Sequence, residues 1–165
     1  IVDVRDNGGG NLSYAETLAA RFTNERVPTG YICHKTGPGH TDFSTPEPVY
    51  LESSDRIRWQ KPVCVLTNRS SYSATNDFVK IMRTLPLVTI VGDRTGGGSG
   101  LPFSSELPNG WSVRFSACPS FDVDMQHTEF GIDPDVKVDM ADEDRARGVD
   151  TIIETARKLL AEQAK

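Results

Sequence analysis

Residues 62–76, PVCVLTNRSSYSATN, decide the fold. The apolar run 63–66 is short and rich in valine, which is typical of a strand that is buried on both faces of a sheet. From Thr67 to Asn76 the residues are mostly small and polar, and many carry hydroxyl groups. The stretch therefore predicts a buried strand that opens into a serine-rich turn.

The sequence then continues as a helix and a second buried strand. Pro86 ends the helical pattern, and the apolar run 88–92 follows at once. Strand, turn, helix and strand together predict a parallel βαβ unit with a right-handed crossover. The apolar residues of the predicted helix recur at spacings of three and four, as one buried face requires: Phe78, Ile81, Met82 and Leu85.

The serine-rich turn occupies a position at which α/β sheets commonly bind ligands. It lies between the carboxyl end of a strand and the start of a helix. Backbone N–H groups at a helix start, together with the helix dipole, stabilise negative charge. We therefore expect the functional site here.

Composition limits the classes of function. A chain of 165 residues predicts one domain, 1–165. The net charge of −5 arises from 18 basic and 23 acidic residues without a basic block, so a nucleic-acid partner is not expected. Cys33, Cys64 and Cys118 lack metal-ligand spacing, and Cys64 is expected to be a buried free thiol. We expect no metal site.

The chain opens with a second strand–turn–helix pattern. Residues 1–5 already predict a strand without a lead-in, which suggests a fragment of a longer chain. The glycine-rich turn 6–10 follows, and Ser13 with Glu16 matches a capping box. Such a turn exposes N–H groups that can bind an oxyanion, although a tight turn that needs positive φ would show the same pattern.

The rest of the chain predicts strands, a hairpin and a final helix. Strands are expected at 29–36 and 48–52, the second at a sheet edge because of its prolines. Residues 101–116 predict a hairpin with Trp111, Val113 and Phe115 on a buried face. A helix capped by Asp150 ends the chain. His34 and His40 are expected at the surface.

Four segments in series resemble one enzyme family, the C-terminal processing (tail-specific) peptidases and their tricorn-like relatives. The resemblance implies an α/β fold with a crotonase-like core of βαβ units, to which a β-hairpin and a C-terminal helix are added. Order and spacing agree across nearly the whole chain. The segments are 3–10, DVRDNGGG; 71–76, SYSATN; 91–97, VGDRTGG; and 130–136, FGIDPDV.

The resemblance implies three site residues. Ser73 would be the nucleophile, and the N–H groups of Gly9 and Ala74 would form the oxyanion hole. Acyl transfer needs such an arrangement, because a hydroxyl on a sharp turn must face donors aimed at the developing oxyanion.

The sequence lacks the general base that one branch of the family uses. Bacterial members use a lysine that would fall at Gly98, so the resemblance implies the tricorn-like, lysine-free branch. That branch uses a histidine, expected before Ile1, and a glutamate, which corresponds to Glu129. Glu129 could instead be a solvated loop carboxylate. His127 and Lys80 are alternative local bases, although Lys80 is expected to be solvated.

The resemblance implies a serine endopeptidase that acts on peptides or unfolded protein tails through an acyl-enzyme at Ser73. No metal or organic cofactor is implied, and a homo-oligomer is compatible with it. It further implies an exported bacterial enzyme, periplasmic or in the cell envelope. One alternative is an inactive ligand-binding module related to retinoid-binding proteins. The other is an acyl-CoA enzyme of the crotonase type, which would need no serine nucleophile.

Overall fold

A computed structural model describes residues 1–163. A four-stranded parallel sheet of order β1-β4-β5-β9 forms its centre. The elements in chain order are β1 (Val2–Asp3), α1 (Leu12–Ala19), β2 (Val27–Ile32), β3 (Glu47–Leu51), β4 (Val63–Thr67), α2 (Ala74–Arg83), β5 (Val88–Gly92), β6 (Phe103–Glu106), β7 (Ser112–Phe115), β8 (Ser120–Phe121), β9 (Val136–Lys137), α3 (Asp142–Ala146) and α4 (Thr151–Gln163).

Strand β4 separates two hydrophobic clusters. Because successive side chains of a strand point to opposite faces, Val63 and Val65 pack in the cluster that contains α2, whereas Cys64 and Leu66 pack in the cluster that contains α4. Every residue of β4 is buried, as the apolar run predicts. The parallel sheet with helices on both faces confirms the α/β class.

The predicted βαβ unit is present. Strands β4 and β5 pair in parallel, and α2 connects them. The apolar stripe of the helix is buried, as expected, at Phe78, Ile81, Met82 and Leu85. The turn between β4 and α2 therefore lies at the carboxyl edge of the central sheet.

The predicted start of the first helix is wrong by two residues. The N-cap is Asn11, whose Oδ1 accepts the Ser13 N–H at 2.9 Å and the Ser13 hydroxyl at 2.8 Å. Asparagine is at least as good an N-cap as serine. Because Asn11 comes first along the chain, the helix begins there, and Ser13 lies inside it with its own N–H bound by the Asn11 cap.

Two smaller sheets flank the centre. Strands β3, β2 and β8 form one antiparallel sheet with β3 at its edge, as predicted. Strands β6 and β7 form the predicted hairpin, but its expected burial is wrong, because Trp111 is 70% exposed and Phe115 50% exposed. The hairpin joins neither of the other two sheets, so within residues 1–163 no layer covers its apolar side chains.

An arginine joins the two ends of the fold. Arg5, which follows β1, lies 2.6 Å from an Asp3 carboxylate oxygen and 2.9 Å from one of Asp150. The Arg5 guanidinium holds the pKa of the Asp3 carboxyl below its usual value. Asp150 caps α4 as predicted, since its other oxygen accepts the N–H groups of Ile152 and Ile153.

The expectation that Lys80 is solvated is wrong. Lys80 is only 7% exposed, and its Nζ lies 2.7 Å from the Ser120 hydroxyl and 3.5 Å from the Asp77 carboxylate, which is 8% exposed. Burial raises the pKa of Asp77, and the Lys80 charge opposes that rise. The lysine lies on the helix face that β8 covers, a contact that the local sequence does not show.

This pair predicts a large stability effect. Lys80→Met should lower the free energy of unfolding by about 3–5 kcal/mol, because it leaves the Asp77 carboxylate buried without its cationic partner. Arg83→Met, at an exposed ion pair of the same helix, should cost about 0–1 kcal/mol. Urea unfolding at neutral pH measures both. Equal losses would contradict the structural role of the buried pair.

Candidate active site

Ser73 lies on a strained turn. It precedes the first residue of α2 with φ 59° and ψ −127°, a conformation that residues other than glycine rarely adopt. Its N–H donates to the Gly97 carbonyl at 2.7 Å, and its carbonyl accepts the Asp77 N–H at 3.1 Å. The side chain is partly exposed, and its Oγ has no hydrogen-bond partner within residues 1–163. The turn thus presents a free hydroxyl above the sheet, as a nucleophile elbow does.

Ala74 brings an unpaired N–H group to the same place. It is the first residue of α2, where the helix itself provides no acceptor. No acceptor for this N–H lies within the described part of the chain. The group therefore combines a free donor with the positive end of the helix dipole, which is what an oxyanion needs.

Gly9 packs against this turn. A Cβ at Gly9 would lie 2.6 Å from the Tyr72 carbonyl oxygen and 2.8 Å from the Ala74 nitrogen, and its φ of +94° favours glycine. Its N–H, however, donates to Asn7 Oδ1 at 3.0 Å. The same oxygen accepts the Thr75 hydroxyl at 2.8 Å. The structure brings Gly9 to Ser73, but this N–H would have to leave Asn7 before it could bind an oxyanion.

Glu129 is joined to Ser73 through two main-chain hydrogen bonds. Its carbonyl accepts the Gly98 N–H at 2.9 Å, and the adjacent Gly97 carbonyl accepts the Ser73 N–H. The Glu129 side chain is partly exposed, and it forms no ion pair within residues 1–163. Its supporting role for a histidine stays a prediction.

None of the three histidines forms a hydrogen bond with the Ser73 hydroxyl within residues 1–163. The His127 ring packs between Phe121, at a centroid distance of 5.2 Å, and Phe130, at 6.0 Å. His34 Nδ1 lies 3.6 Å from Cys118 Sγ. His40 lines a neighbouring groove. With Lys80 bound to Ser120 and Asp77, none of the alternative bases considered from the sequence forms a hydrogen bond with Ser73 in the described residues.

Gly98 is closely packed. A Cβ there would lie 2.3 Å from the Tyr72 ring, and its φ is +82°. A lysine at this position would displace both the ring and the main chain. The packing at Gly98 therefore excludes a longer side chain, in agreement with the absence of a lysine at this position.

An open cleft of about 500 Å³ lies in front of Ser73. It is large enough for several atoms of an extended peptide, and the N–H groups of Gly8 and Gly10 have no acceptor within residues 1–163. The lining residues are Gly8, Gly9, Gly10, Tyr72, Ser73, Gly98, Pro102, Arg114, Phe115 and Ser116.

A buried polar network that the sequence reasoning missed fixes these segments. Asn76 is fully buried, and its Oδ1 accepts the Thr95 hydroxyl at 2.5 Å. Its Nδ2 donates to the Ser99 hydroxyl at 2.6 Å and to the Thr128 carbonyl at 3.1 Å. The first turn of α2 is thereby joined to the 95–99 loop and to the segment that carries Glu129. The sequence gives one sign of this network, which is the polar amide of Asn76 at the start of a helix with an apolar stripe.

Within the described residues, no group of three or more potential metal ligands is present. None of the helices in residues 1–163 has the length and apolar character needed to cross a membrane.

Comparison with known proteins gives matches over most of the chain. The family model described as Peptidase family S41 matches residues 1–138. A crystal structure of a candidate peptidase from Parabacteroides merdae has 68% sequence identity and a TM-score of 0.92, and the match covers 96% of this chain and 50% of that one. Mature CPAF shares the fold with a TM-score of 0.81 at 17% identity, over 95% of this chain and 42% of that chain.

A curated relative points to the same group. A candidate tricorn-like protease C-terminal subunit from Sulfurisphaera tokodaii is 29% identical over 176 residues, which is 99% of this chain and 18% of that protein. The chain thus spans no more than half of the length of these relatives.

Proposed function

The chain belongs to peptidase family S41, and from that premise we propose that it is part of a serine endopeptidase that cleaves peptides or unfolded protein tails through an acyl-enzyme at Ser73. The observation that carries the proposal is the free Ser73 hydroxyl on a strained turn, directly before the unpaired Ala74 N–H. Strained main-chain conformations of this kind are found mainly at functional sites.

The geometry suits nucleophilic acyl transfer. Ser73 Oγ would attack the scissile carbonyl carbon and lose its proton to a general base, while the Ala74 N–H stabilises the tetrahedral oxyanion. Collapse breaks the C–N bond, and the base returns the proton to the leaving amine. Water then hydrolyses the ester and restores the Ser73 hydroxyl.

The base is proposed to be a histidine from a segment outside residues 1–165, oriented by Glu129. Two observations support this. Ser73 Oγ has no partner within residues 1–163, and the chain covers only half of the similar Parabacteroides merdae protein. The Glu129 carbonyl accepts the Gly98 N–H, and the neighbouring Gly97 carbonyl accepts the Ser73 N–H. The Glu129 carboxylate forms no ion pair within the described residues.

The same proposal covers the type of core, the location of the enzyme and its assembly. The core would be of the crotonase-like type, with the β6–β7 hairpin and α4 as additions. The enzyme would be exported, periplasmic or in the cell envelope, and could assemble as a homo-oligomer. The alternative, a ligand-binding module related to retinoid-binding proteins, does not explain the strained main chain at Ser73.

Hydrolysis of casein and of a fluorogenic peptide library tests the proposal. Full-length protein should cleave both, whereas residues 1–165 alone should be nearly inactive at the same concentration, because a serine hydroxyl without a base is a poor nucleophile. Oxyanion stabilisation and binding alone leave about 10³-fold acceleration over water, too little for these assays. Retinol binding without hydrolysis by the full-length protein would favour the alternative. Full activity of residues 1–165 would place the base within them.

A further inference from the structure

The loop that leads into β4 exposes two apolar side chains. All residues in the stretch 55–61, DRIRWQK, are exposed, and we call it the 55–61 loop. Ile57 is 88% exposed and Trp59 is 51% exposed. The loop comes shortly before Val63, the first residue of β4, so it lies at the amino edge of the central sheet. Ser73 follows the other end of the same strand, at the carboxyl edge.

Hydrogen bonds hold the main chain of this loop in place. The Trp59 N–H donates to the Arg21 carbonyl at 2.7 Å, and the Arg21 guanidinium donates to the Ile57 carbonyl at 3.1 Å. The Arg58 guanidinium donates to the Ser54 carbonyl at 3.0 Å. The loop is thus bound to the turn that follows α1, and the Ile57 and Trp59 side chains remain on the outside.

The charges around these two side chains are mostly positive. Arg56, Arg58 and Lys61 lie in the loop, and Arg21 binds it. None of these four cations forms an ion pair within residues 1–163. Asp55 is the single acidic residue of the loop. On a chain of net charge −5, this surface is complementary to an anion.

The exposure of the loop favours a flat anionic surface over a peptide. A side chain that is 88% exposed, as Ile57 is, has no walls around it and cannot be part of a groove that holds a peptide. Lys61 Nζ lies 5.7 Å from the centroid of the Trp59 ring, so a cation and an aromatic ring are presented together. Tryptophan, aliphatic and basic side chains in combination are typical of segments that bind the boundary of a lipid bilayer.

We propose that the 55–61 loop binds the surface of an anionic phospholipid bilayer. Ile57 and Trp59 enter the boundary between the headgroups and the acyl chains, and the three basic side chains of the loop bind lipid phosphates. Because the loop lies at the amino edge of the sheet, the bound protein leaves the cleft at Ser73 open to solvent. This inference concerns binding alone and does not depend on the function proposed above.

Flotation of full-length Ser73→Ala protein with lipid vesicles tests the proposal without requiring hydrolysis. One set of vesicles contains phosphatidylcholine alone, and the other contains equal amounts of phosphatidylcholine and phosphatidylglycerol. The protein should bind the second set about tenfold or more tightly, since each arginine or lysine near an anionic bilayer contributes about fivefold. High salt should weaken this preference, because it screens exposed charges.

Substitution of the apolar pair should locate the contact. Ile57→Ser together with Trp59→Ser should weaken binding to the anionic vesicles about tenfold or more, because it removes apolar surface that the bilayer would bury. Trp111→Ser is the matched control, since Trp111 is 70% exposed on the β6–β7 hairpin, and it should leave vesicle binding unchanged.

Substitution of charges should reduce the lipid preference. Arg56→Gln together with Lys61→Gln should lower the preference for anionic vesicles about tenfold or more, and Arg58 is kept because it holds the loop. Arg157→Gln together with Lys158→Gln removes the same charge from exposed positions of α4 and should keep the preference. Thermal unfolding shows that each variant is folded.

Three results would overturn the proposal. The first is equal binding of full-length protein to both sets of vesicles, or binding to neither. The second is an equal loss of binding in the Trp59 and Trp111 variants. The third is binding to polyglutamate without binding to the vesicles, which would assign an acidic polypeptide as the partner. Vesicle binding that needs Trp59 supports the proposal whether or not the unsubstituted protein hydrolyses peptides.

Discussion

Ser73→Ala in the full-length protein should lower kcat/KM for a fluorogenic peptide by about four orders of magnitude or more. The substitution removes the attacking oxygen but leaves the main chain of the turn with its hydrogen bonds to Gly97 and Asp77. Peptide binding should therefore survive. The measurement is steady-state hydrolysis together with anisotropy of a labelled peptide.

Ser70→Ala is the matched control. Ser70 is an exposed serine of the same turn, and its N–H donates to Asn68 Oδ1. This bond does not involve the Ser70 hydroxyl, so Ser70→Ala leaves it in place. This variant should retain nearly full activity. If Ser73→Ala kept more than about a tenth of the activity, which is a barrier change of only about 1.4 kcal/mol, the chemistry would have to take place elsewhere.

Gly9→Ala should lower kcat by about 10²–10³, because the resemblance assigns the Gly9 N–H to the oxyanion hole and losing one such donor has an effect of this size. A methyl group at Gly9 would lie 2.8 Å from both the Ala74 nitrogen and Ser73 Cβ, and at φ +94° an alanine is strained whatever space it has. The clash therefore displaces the glycine-rich turn from the nucleophile. Steady-state kinetics gives the size of the loss, and thermal unfolding shows whether the fold survives.

Gly8→Ala provides the comparison for Gly9→Ala. A Cβ at Gly8 meets no atom within 4 Å, and Gly8 has no positive φ. Gly8→Ala keeps the Gly8 N–H in the lining of the cleft and should therefore lower kcat far less than Gly9→Ala does. Equal loss of activity in the two variants would show that the turn as a whole is needed and would remove the specific role of Gly9.

The sequence predicted those parts of the fold that depend on local patterns. The apolar run 63–66, the α2 stripe and the cap at Asp150 are each visible within a few residues, and the structure has them. The proximity of the turns at Gly9 and Ser73 was also foreseeable, because the carboxyl ends of parallel strands lie at one edge of a sheet.

Features that depend on contacts between distant segments were not predictable. Lys80 is buried because Ser120, far along the chain, covers it. The hairpin has the alternation of a half-buried strand, but no layer within residues 1–163 reaches its apolar face. The hydrogen bond from Gly9 to Asn7 is local, yet an Asx turn and an oxyanion-binding turn share the same asparagine–glycine pattern.

Covalent labelling by a fluorophosphonate probe tests the central assignment most directly. Full-length protein is labelled and digested with trypsin, and the peptide 70–80, SSYSATNDFVK, is fragmented by tandem mass spectrometry. The phosphonate adduct should lie on Ser73 and should be lost in Ser73→Ala. An adduct on Ser70 or Ser71, or labelling that persists in Ser73→Ala, would contradict the assignment of Ser73 as the nucleophile.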